Sequence, residues 1–319
     1  MKAKIISGAV VLVAILLVSF QFSGLAVATQ RTVKIGYIPL ATSLPLYIAE
    51  ANKYFDDAGI KYELVKMDSS NQLASSLVRG EVDAVFEVLS APLLAEEAKN
   101  PGSIKIFSVS DLTTAKPFDS IIVKDDSIKT LNDLENKRIG VTPGSIFNSQ
   151  LKYFLKFNSI DTDKITFVPV GLPEQLQGLS NNFVDAVYSI EPVIQQSSET
   201  QYGFRRLYGS VFANTINHSP QGAAAFSAKF LGENAEIAKK IASVFDKSVE
   251  YIRSNDGSAR QIAAYRLNLD QSVAGAMSLF QMTKSTEIDR GVLGKQIQLF
   301  YYLNEIGSAN FDLNNLIYQ

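Results

Sequence analysis

The chain has 319 residues, which suffices for one large domain or two ordinary ones, and its apolar content can fill two cores. It carries 30 basic and 32 acidic residues, and a net charge of -2 gives no field that would hold nucleic acid or an anionic membrane. With no cysteine and one histidine, His218, the chain lacks the groups for disulfides, thiolate nucleophiles, iron–sulfur clusters and the usual zinc sites, so we expect no metal or other cofactor.

The N-terminal segment has the order of a secretory signal peptide. Lysines precede an uncharged apolar run over residues 5–20, and the small-residue triplet Ala26-Val27-Ala28 follows. This order predicts a signal peptide over residues 1–28 and a mature chain at the periplasmic or extracellular face of the membrane. An uncleaved anchor is the alternative, because a spanning helix needs about 20 apolar residues and the run can be extended to reach that length.

The first part of the mature chain alternates apolar strands with helical segments. Gly59 and Gly80 are placed to end helices, because glycine accepts a left-handed conformation without a Cβ clash. The predicted elements are a strand at 33–38, a helix at 46–58, a strand at 62–67, a helix at 72–78, a strand at 82–88, a helix whose first turn holds Pro92, and a strand at 104–109.

The second part repeats this order. The segment Ile35-Gly36 leads to Val82-Asp83-Ala84, and Ile139-Gly140 leads in the same way to Val184-Asp185-Ala186. The predicted elements are strands at 120–123 and from Lys137, a helix at 146–157, a strand at 165–170, a helix before Asn181 and a strand at 184–190. The chain therefore builds one α/β unit twice. Two facing lobes of this kind form a cleft at the carboxyl ends of their strands.

The C-terminal part is predicted to return to the first lobe. Residues 223–227 form a strand, and apolar residues recur at three- and four-residue spacing between Ile237 and Val249, as in an amphipathic helix. Further helices are predicted at 259–266, 271–281 and 289–305. The predicted lobes are 29–119 plus 223–319 and 120–222. The two crossings between them would form a two-segment hinge that allows closure about a ligand.

Five short motifs, in order, resemble those of a known family. They are Ile35-Gly36-Tyr37-Ile38-Pro39, Ala58-Gly59-Ile60, Gly80-Glu81-Val82-Asp83-Ala84, Lys137-Arg138-Ile139-Gly140-Val141 and Glu191-Pro192. Together they resemble the periplasmic substrate-binding proteins of ABC importers, in the branch for sulfonates, taurine, nitrate and thiamine-precursor pyrimidines that includes NMT1/THI5-like and SsuA-like proteins.

The resemblance implies an α/β, bilobal type II periplasmic-binding-protein fold with the ligand between the lobes. It implies a monomer that binds a small nitrogen- or sulfur-containing solute, delivers it to a membrane permease and performs no catalysis. The arginines and tryptophans that some relatives direct at sulfonates or aromatic rings are not apparent in the loops, and tryptophan is absent from the chain. The identity of the ligand is thus left open.

Residues in the loops at the carboxyl ends of the strands are the candidates for ligand contact. We expect ligand binding by Thr42, Ser43, Ser69, Glu87, Ser90, Thr114, Gly144, Ser145, Phe147 and Glu191. The neighbouring Ser70 and Thr113 belong to the same loops.

Three of these candidates have specific alternatives. Ser145 lies where a helix begins, so free backbone amides there could hold an acceptor oxygen, or the serine could simply cap its own helix. Glu87 interrupts an apolar strand, and its partner is either a ligand amine or ring N–H, or a group of the protein itself. Phe147 could stack on a planar ligand or belong to the core.

Two acidic pairs have different expected roles. Asp83 and Asp185 recur in both lobes, but they lie at the amino ends of their strands and are predicted to be turn residues. Glu191 ends the strand equivalent to that of Glu87, and the resemblance places it near the hinge and cleft, although it could also be a charge at a helix start. The leading function is solute capture for an ABC importer. An enzyme or a sensory module on the same fold is the alternative.

Overall fold

A computed structural model describes residues 31–143, 146–199, 202–216 and 218–319, which include the whole α/β body apart from three short gaps. The predicted signal peptide, residues 1–28, lies outside the described residues. Within the described ranges, no helix has the length and hydrophobicity needed to cross a bilayer.

The strands of the described chain are short and lie mostly where the apolar runs predict them. They are β1 (Val33–Tyr37), β2 (Tyr62–Lys66), β3 (Ala84–Leu89), β4 (Ile104–Leu112), β5 (Asp119–Val123), β6 (Arg138–Val141), β7 (Thr166–Pro169), β8 (Ala186–Ile190), β9 (Arg205–Gly209), β10 (Ser219–Ser227) and β11 (Gln281–Met282).

The helices connect these strands and form the C-terminal tail. They are α1 (Leu44–Ala51), α2 (Tyr54–Asp57), α3 (Ser70–Arg79), α4 (Ser90–Lys99), α5 (Phe147–Phe157), α6 (Gln175–Ser180), α7 (Val193–Glu199), α8 (Val211–Thr215), α9 (Ala228–Glu233), α10 (Ala235–Ser254), α11 (Asp256–Leu267), α12 (Gln271–Ala276), α13 (Arg290–Tyr302) and α14 (Leu313–Leu316).

The strands form two sheets that share one local topology. The first sheet has the order β11-β4-β10-β3-β1-β2, and the second has the order β7-β6-β8-β5-β9. In each, a central strand lies between two parallel neighbours, β2 and β3 around β1, and β7 and β8 around β6. Next to these lies an antiparallel strand, β10 beside β3 in the first sheet and β5 beside β8 in the second. The predicted duplication is confirmed at the level of strand order and direction.

The repeated aspartates clamp the start of each parallel pair. The backbone N–H of Asp83 donates to the Lys34 carbonyl at 2.8 Å, and the Lys34 N–H donates back to the Asp83 carboxylate at 2.9 Å. Asp185 makes the same two bonds with Arg138, both at 2.9 Å. Each carboxylate therefore satisfies an amide at the sheet end opposite the cleft, which is a structural role.

The central strands of each sheet are buried on both faces, as strands covered by helices are. One face of the first sheet packs Phe86, Phe107, Phe226 and Phe245, with the rings of Phe107 and Phe226 stacked at 4.3 Å between centroids. Neighbouring positions such as Val85 point to the other face, against helix α3 and the C-terminal helices. Successive side chains of β3 therefore point alternately into two hydrophobic cores, rather than into one core and solvent.

The chain passes between the sheets twice, after β4 and after β9. Strand β5 belongs to the second sheet, and strand β10 belongs to the first and begins at Ser219, upstream of the predicted return at residue 223. The lobe limits 29–119 plus 223–319 and 120–222 stay predictions, while the two crossing segments are a feature of the strand order.

Two predicted helices differ from those observed. The helix expected at 46–58 is interrupted after α1, because Lys53 adopts a left-handed conformation with φ of 57°. The helix expected at 271–281 ends at Ala276, and Gln281 instead starts β11. Strand β11 covers the outer edge of β4, pairing Gln281 with Asp111, so tertiary pairing overrides the local helical preference.

Gly36 marks a close approach between β1 and helix α3. A Cβ at this position would lie 2.5 Å from Cδ2 of Leu73, which is fully buried. We predict that Gly36→Ala lowers the free energy of unfolding by about 1–3 kcal/mol through overpacking. Chemical denaturation measures this change. Gly257→Ala on helix α11 is the control, because its Cβ meets nothing within 4 Å. A Gly36→Ala protein as stable as wild type would contradict the packing described.

Candidate functional site

A cavity of about 260 Å³ lies between the two sheets, at the carboxyl ends of their parallel strands. Residues at or just after the ends of β1, β2 and β3 form one side, and residues at or just after the ends of β6, β7 and β8 form the other. The described lining residues are Ile38, Leu40, Thr42, Asp68, Ser69, Ser70, Asn71, Glu87, Val88, Leu89, Ala91, Pro92, Ala95, Leu112, Phe118, Thr142, Pro143, Ile146, Phe147, Leu172, Ile190, Phe212, Gln221, Gly222, Phe280 and Glu305. This is where the duplicated topology predicts a ligand.

Four of the predicted ligand-binding residues line the cavity: Thr42, Ser69, Glu87 and Phe147. Ser69 also caps helix α3, since its hydroxyl accepts from the Gln72 N–H at 3.2 Å. The predicted contacts Gly144 and Ser145 lie outside the described residues. The role of all these residues in ligand binding stays a prediction.

Four other candidates are placed away from the described lining. Ser43 and Ser90 are fully buried and donate to backbone carbonyls, Ser43 to Ile38 at 2.6 Å and Ser90 to Pro220 at 2.8 Å. Thr114 is exposed on the first crossing segment, and Glu191 lies at the junction of the lobes. These residues were predicted because they lie in loops near strand ends. Position in a loop does not reveal which way a side chain points.

Glu87 is the buried carboxyl of the cavity. Its side chain is 3% exposed, and the described groups that contact it are hydroxyls, Ser108 at 3.3 Å and Ser110 closer still. Burial disfavours the charged form and raises the pKa of Glu87 from 4.5 to about 7, although both hydroxyls act in the opposite direction. The carboxyl can therefore change its protonation state near neutral pH.

A β-bulge aims Glu87 at the cavity. Strand β10 pairs Ala223 with Val88 and Ala225 with Val85, so two residues of β3, Phe86 and Glu87, oppose one residue of β10. Glu87 has a φ of 52°, a conformation that costs a non-glycine residue about 1–3 kcal/mol. The surrounding sheet must supply that energy.

Gly222 on β10 makes room for this carboxyl. A Cβ at position 222 would lie 2.9 Å from Oε2 of Glu87 and 3.0 Å from Cβ of Ser110. Only glycine therefore allows the carboxyl and the serine to meet beside β10 without displacement.

Aromatic and aliphatic side chains form most of the remaining wall. Phe118 from the first crossing segment packs on Phe280 with ring centroids 3.8 Å apart. Phe147 starts helix α5 and packs on Phe212 at 5.4 Å and on Tyr188 at 6.0 Å. Phe147 is therefore both a core residue and a cavity residue, so its two predicted roles are compatible.

Comparison with known proteins identifies the family. Residues 41–259 match the family described as NMT1/THI5 like. The chain belongs to the NMT1/THI5-like family. The bicarbonate transport ATP-binding protein CmpC of Synechococcus elongatus is 26% identical over 187 residues, which cover 54% of this chain and 28% of that protein. The 4-amino-5-hydroxymethyl-2-methylpyrimidine phosphate synthase of Aspergillus parasiticus is 26% identical over 151 residues, or 47% of this chain and 42% of the synthase. The chain thus matches less than half the length of either relative.

A solved structure gives the fold. The periplasmic aliphatic sulphonate binding protein SsuA of Escherichia coli superposes with a TM-score of 0.75 and 18% identity, covering 91% of this chain and 98% of that one. The predicted bilobal periplasmic-binding-protein fold is confirmed.

In this NMT1/THI5-like protein, Glu191 joins the two lobes. Its carboxylate follows β8 and accepts from the backbone N–H of Ser278, beyond helix α12, at 3.1 Å, and from the N–H of Gln195 on helix α7 at 3.3 Å. Burial raises its pKa to about 7, against these hydrogen bonds and the positive charge of Arg206. Its described partners belong to the protein, so Glu191 supports the junction beside the crossing segments.

A second contact between the lobes lies at the mouth of the cavity. The Ser149 hydroxyl on helix α5 donates to the Glu305 carboxylate, which follows helix α13 and lines the cavity. Nearby, Tyr153 and Tyr302 meet edge to face at 5.7 Å between centroids. The conformation described is therefore one in which the two sides of the cavity touch.

Sequence reasoning missed several cavity residues. Phe118 lies in the same crossing segment as the predicted Thr114, whereas Gln221, Phe280 and Glu305 lie far along the chain from the predicted loops. Gln221 had the clearest signal, since it is a polar residue between Pro220 and Gly222 in the second crossing.

The raised pKa of Glu87 predicts how a variant alters stability with pH. Between pH 4.5 and 7 the folded state holds a proton that the unfolded state releases, so stability falls as pH rises through this window. Glu87→Gln removes this dependence. The variant's free energy of unfolding minus that of wild type should therefore be larger at pH 8 than at pH 4, by up to about 3 kcal/mol. Urea denaturation at both pH values measures the difference. An equal effect at the two values would contradict the raised pKa.

Proposed function

We propose that this protein is the extracytoplasmic solute-binding component of an ABC importer, and that it captures a small nitrogen- or sulfur-containing organic solute between its lobes. The observation that carries this proposal is the cavity walled by both sheets at the carboxyl ends of their strands. A ligand there would contact both lobes at once, so it would stabilise the closed arrangement over an open one.

The family and the relatives support a transport role. SsuA of Escherichia coli is named as a periplasmic sulphonate-binding protein, and CmpC as an ATP-binding protein of bicarbonate transport. A monomer that closes on its solute outside the cytoplasmic membrane, with lobes 29–119 plus 223–319 and 120–222, would present a surface that a membrane permease can recognise. Export would depend on the predicted signal peptide.

An enzyme is the second candidate, because the Aspergillus parasiticus relative is a synthase. The described lining offers carboxyl, amide and hydroxyl groups but no cysteine, histidine or lysine side chain. Serine and carboxyl groups can also act as nucleophile and base, but the two hydroxyls that contact the buried Glu87, Ser108 and Ser110, are not among the described lining residues, so binding fits the lining better than turnover does. Product formation from a bound solute, followed by mass spectrometry, would favour the enzyme.

Ligand-dependent stabilisation tests the proposal directly. The mature protein, screened by thermal shift against a broad library of small metabolites, should show saturable stabilisation by one chemical class. A solute at 100 times its dissociation constant adds about 2.7 kcal/mol. X-ray scattering of the same sample should show a smaller radius of gyration with the solute. Silence across the library, with an unchanged scattering curve, would contradict solute capture.

The contact between Ser149 and Glu305 predicts a variant with impaired closure. Ser149→Ala removes the O–H donor, which also reaches the Ile146 carbonyl at 3.1 Å, without altering a lining residue. One lost hydrogen bond to a charged group is worth about 1.5–3 kcal/mol, so affinity for the solute should fall by about tenfold or more. Titration calorimetry measures the fall. Ser258→Ala on the exposed side of helix α11 is the matched control, and an equal affinity for both variants would contradict a role in closure.

A further inference from the structure

The charge of the cavity is the first clue to what it binds. Its described lining contains three carboxyl groups, Asp68, Glu87 and Glu305, and no lysine, arginine or histidine. Asp68 is exposed and Glu305 half-buried, while Glu87 is enclosed. An anionic head group would meet negative charge without a compensating cation, so this lining disfavours oxyanions such as sulfonates.

Gln221 supplies a second polar group. Pro220 pairs with Asp111 and Gly222 with Ser110, so Gln221 is the extra residue of a bulge in strand β10. The side chain is 1% exposed, yet it lines the cavity. A bulge residue on each of two neighbouring strands, Glu87 on β3 and Gln221 on β10, thus presents a polar group to the same space.

The orientation of the Gln221 amide is fixed from behind. Its Nε2 donates to the Ser219 hydroxyl at 2.8 Å, and that hydroxyl donates to Oε1 of Gln296 on helix α13, also at 2.8 Å. Oε1 of Gln221 is buried and has no hydrogen-bond partner among the described residues. A buried acceptor without a donor destabilises the free protein, and a ligand N–H that donates to it would remove that cost.

We propose that the cavity recognises an organic cation, an ammonium or amidinium head on an apolar body, whose N–H groups meet the Glu87 carboxylate and Oε1 of Gln221. This inference rests on the proposed solute-binding function and names the class of solute. The body would contact the aliphatic and aromatic walls, including Phe118 and Phe280. The cavity has a volume of about 260 Å³, whereas pockets for drug-sized molecules span about 300–1,000 Å³. The solute is therefore smaller than a drug-sized molecule.

Binding of this class is coupled to proton release. Without a guest, the described groups that contact the Glu87 carboxyl are the Ser108 and Ser110 hydroxyls of strand β4, and Gly222 of strand β10 adds no charge. The other carboxyl groups of the cavity, Asp68 and Glu305, do not bond to it in the described structure. Burial raises the pKa of Glu87 to about 7, so a cation would bind the carboxylate and displace its proton at lower pH.

Matched probes that share one body separate the classes of head group. Benzylamine and benzamidine carry cationic heads, benzyl alcohol a neutral one, and phenylmethanesulfonate an anionic one. Calorimetric titration of the wild-type mature protein at pH 8 should give binding of at least one cation, at least tenfold weaker binding of the alcohol, and none of the sulfonate. Affinity for the cation should fall at least tenfold at pH 5.5, with a proton released to the buffer.

Variants of the two polar groups give an independent readout. Gln221→Leu should weaken cation binding about tenfold and keep its pH dependence, whereas Glu87→Gln should weaken it and remove the pH dependence. Gln221→Glu keeps an acceptor oxygen at this position and should retain cation binding. Circular dichroism and thermal unfolding without ligand establish that each variant is folded. Any variant that fails to fold leaves the test to the wild-type head-group series.

The outcomes separate this inference from the function on which it rests. Stronger binding of the sulfonate than of the cations overturns the cation assignment. So does a library screen that finds a neutral or anionic solute while both cations fail, and in that case solute capture stands. Silence of every probe and of the whole library overturns both.

Discussion

The site depends on one energetic conflict, the burial of the Glu87 carboxyl in a sheet that has no cation to pair with it among its described contacts. The bulge in β3 holds this group in a left-handed conformation, and Gly222 leaves it space. Such an arrangement lowers stability, because desolvation of a carboxylate is costly and two serine hydroxyls offset only part of the cost. Strained conformations of this kind cluster at sites where ligands bind.

Both sheets are needed to form a binding site around the buried Glu87 carboxyl. The parallel strands end at a common edge in each lobe, so their loops face each other across the cavity. Glu191 with Ser278 and Ser149 with Glu305 join the lobes beside it. These two contacts are polar, and the aromatic pair Tyr153 and Tyr302 lies near the second of them. A small molecule that contacts both lobes would shift an equilibrium between open and closed arrangements.

Local sequence patterns carried most of the fold. The duplicated Ile-Gly and Asp-Ala segments predicted the parallel pairs, because the pattern of each segment is formed by residues that are adjacent in the chain. Gly59 and Gly80 adopt the left-handed conformations expected at helix ends. The site was less predictable. The bulges at Glu87 and Gln221 arise from pairing between strands that are distant in sequence, and no single segment encodes such a register. Edge strand β11 was missed for the same reason.

The protonation of Glu87 in the free protein is the most direct test of this account. Carbon-13 NMR of glutamate side-chain carboxyl groups, with the Glu87 resonance assigned from Glu87→Gln, follows its titration in the folded protein. We predict a midpoint near 7 without ligand, set by burial beside the two serine hydroxyls. A midpoint near the ordinary value of 4.5 would show a solvated or charge-compensated carboxyl and would contradict the account.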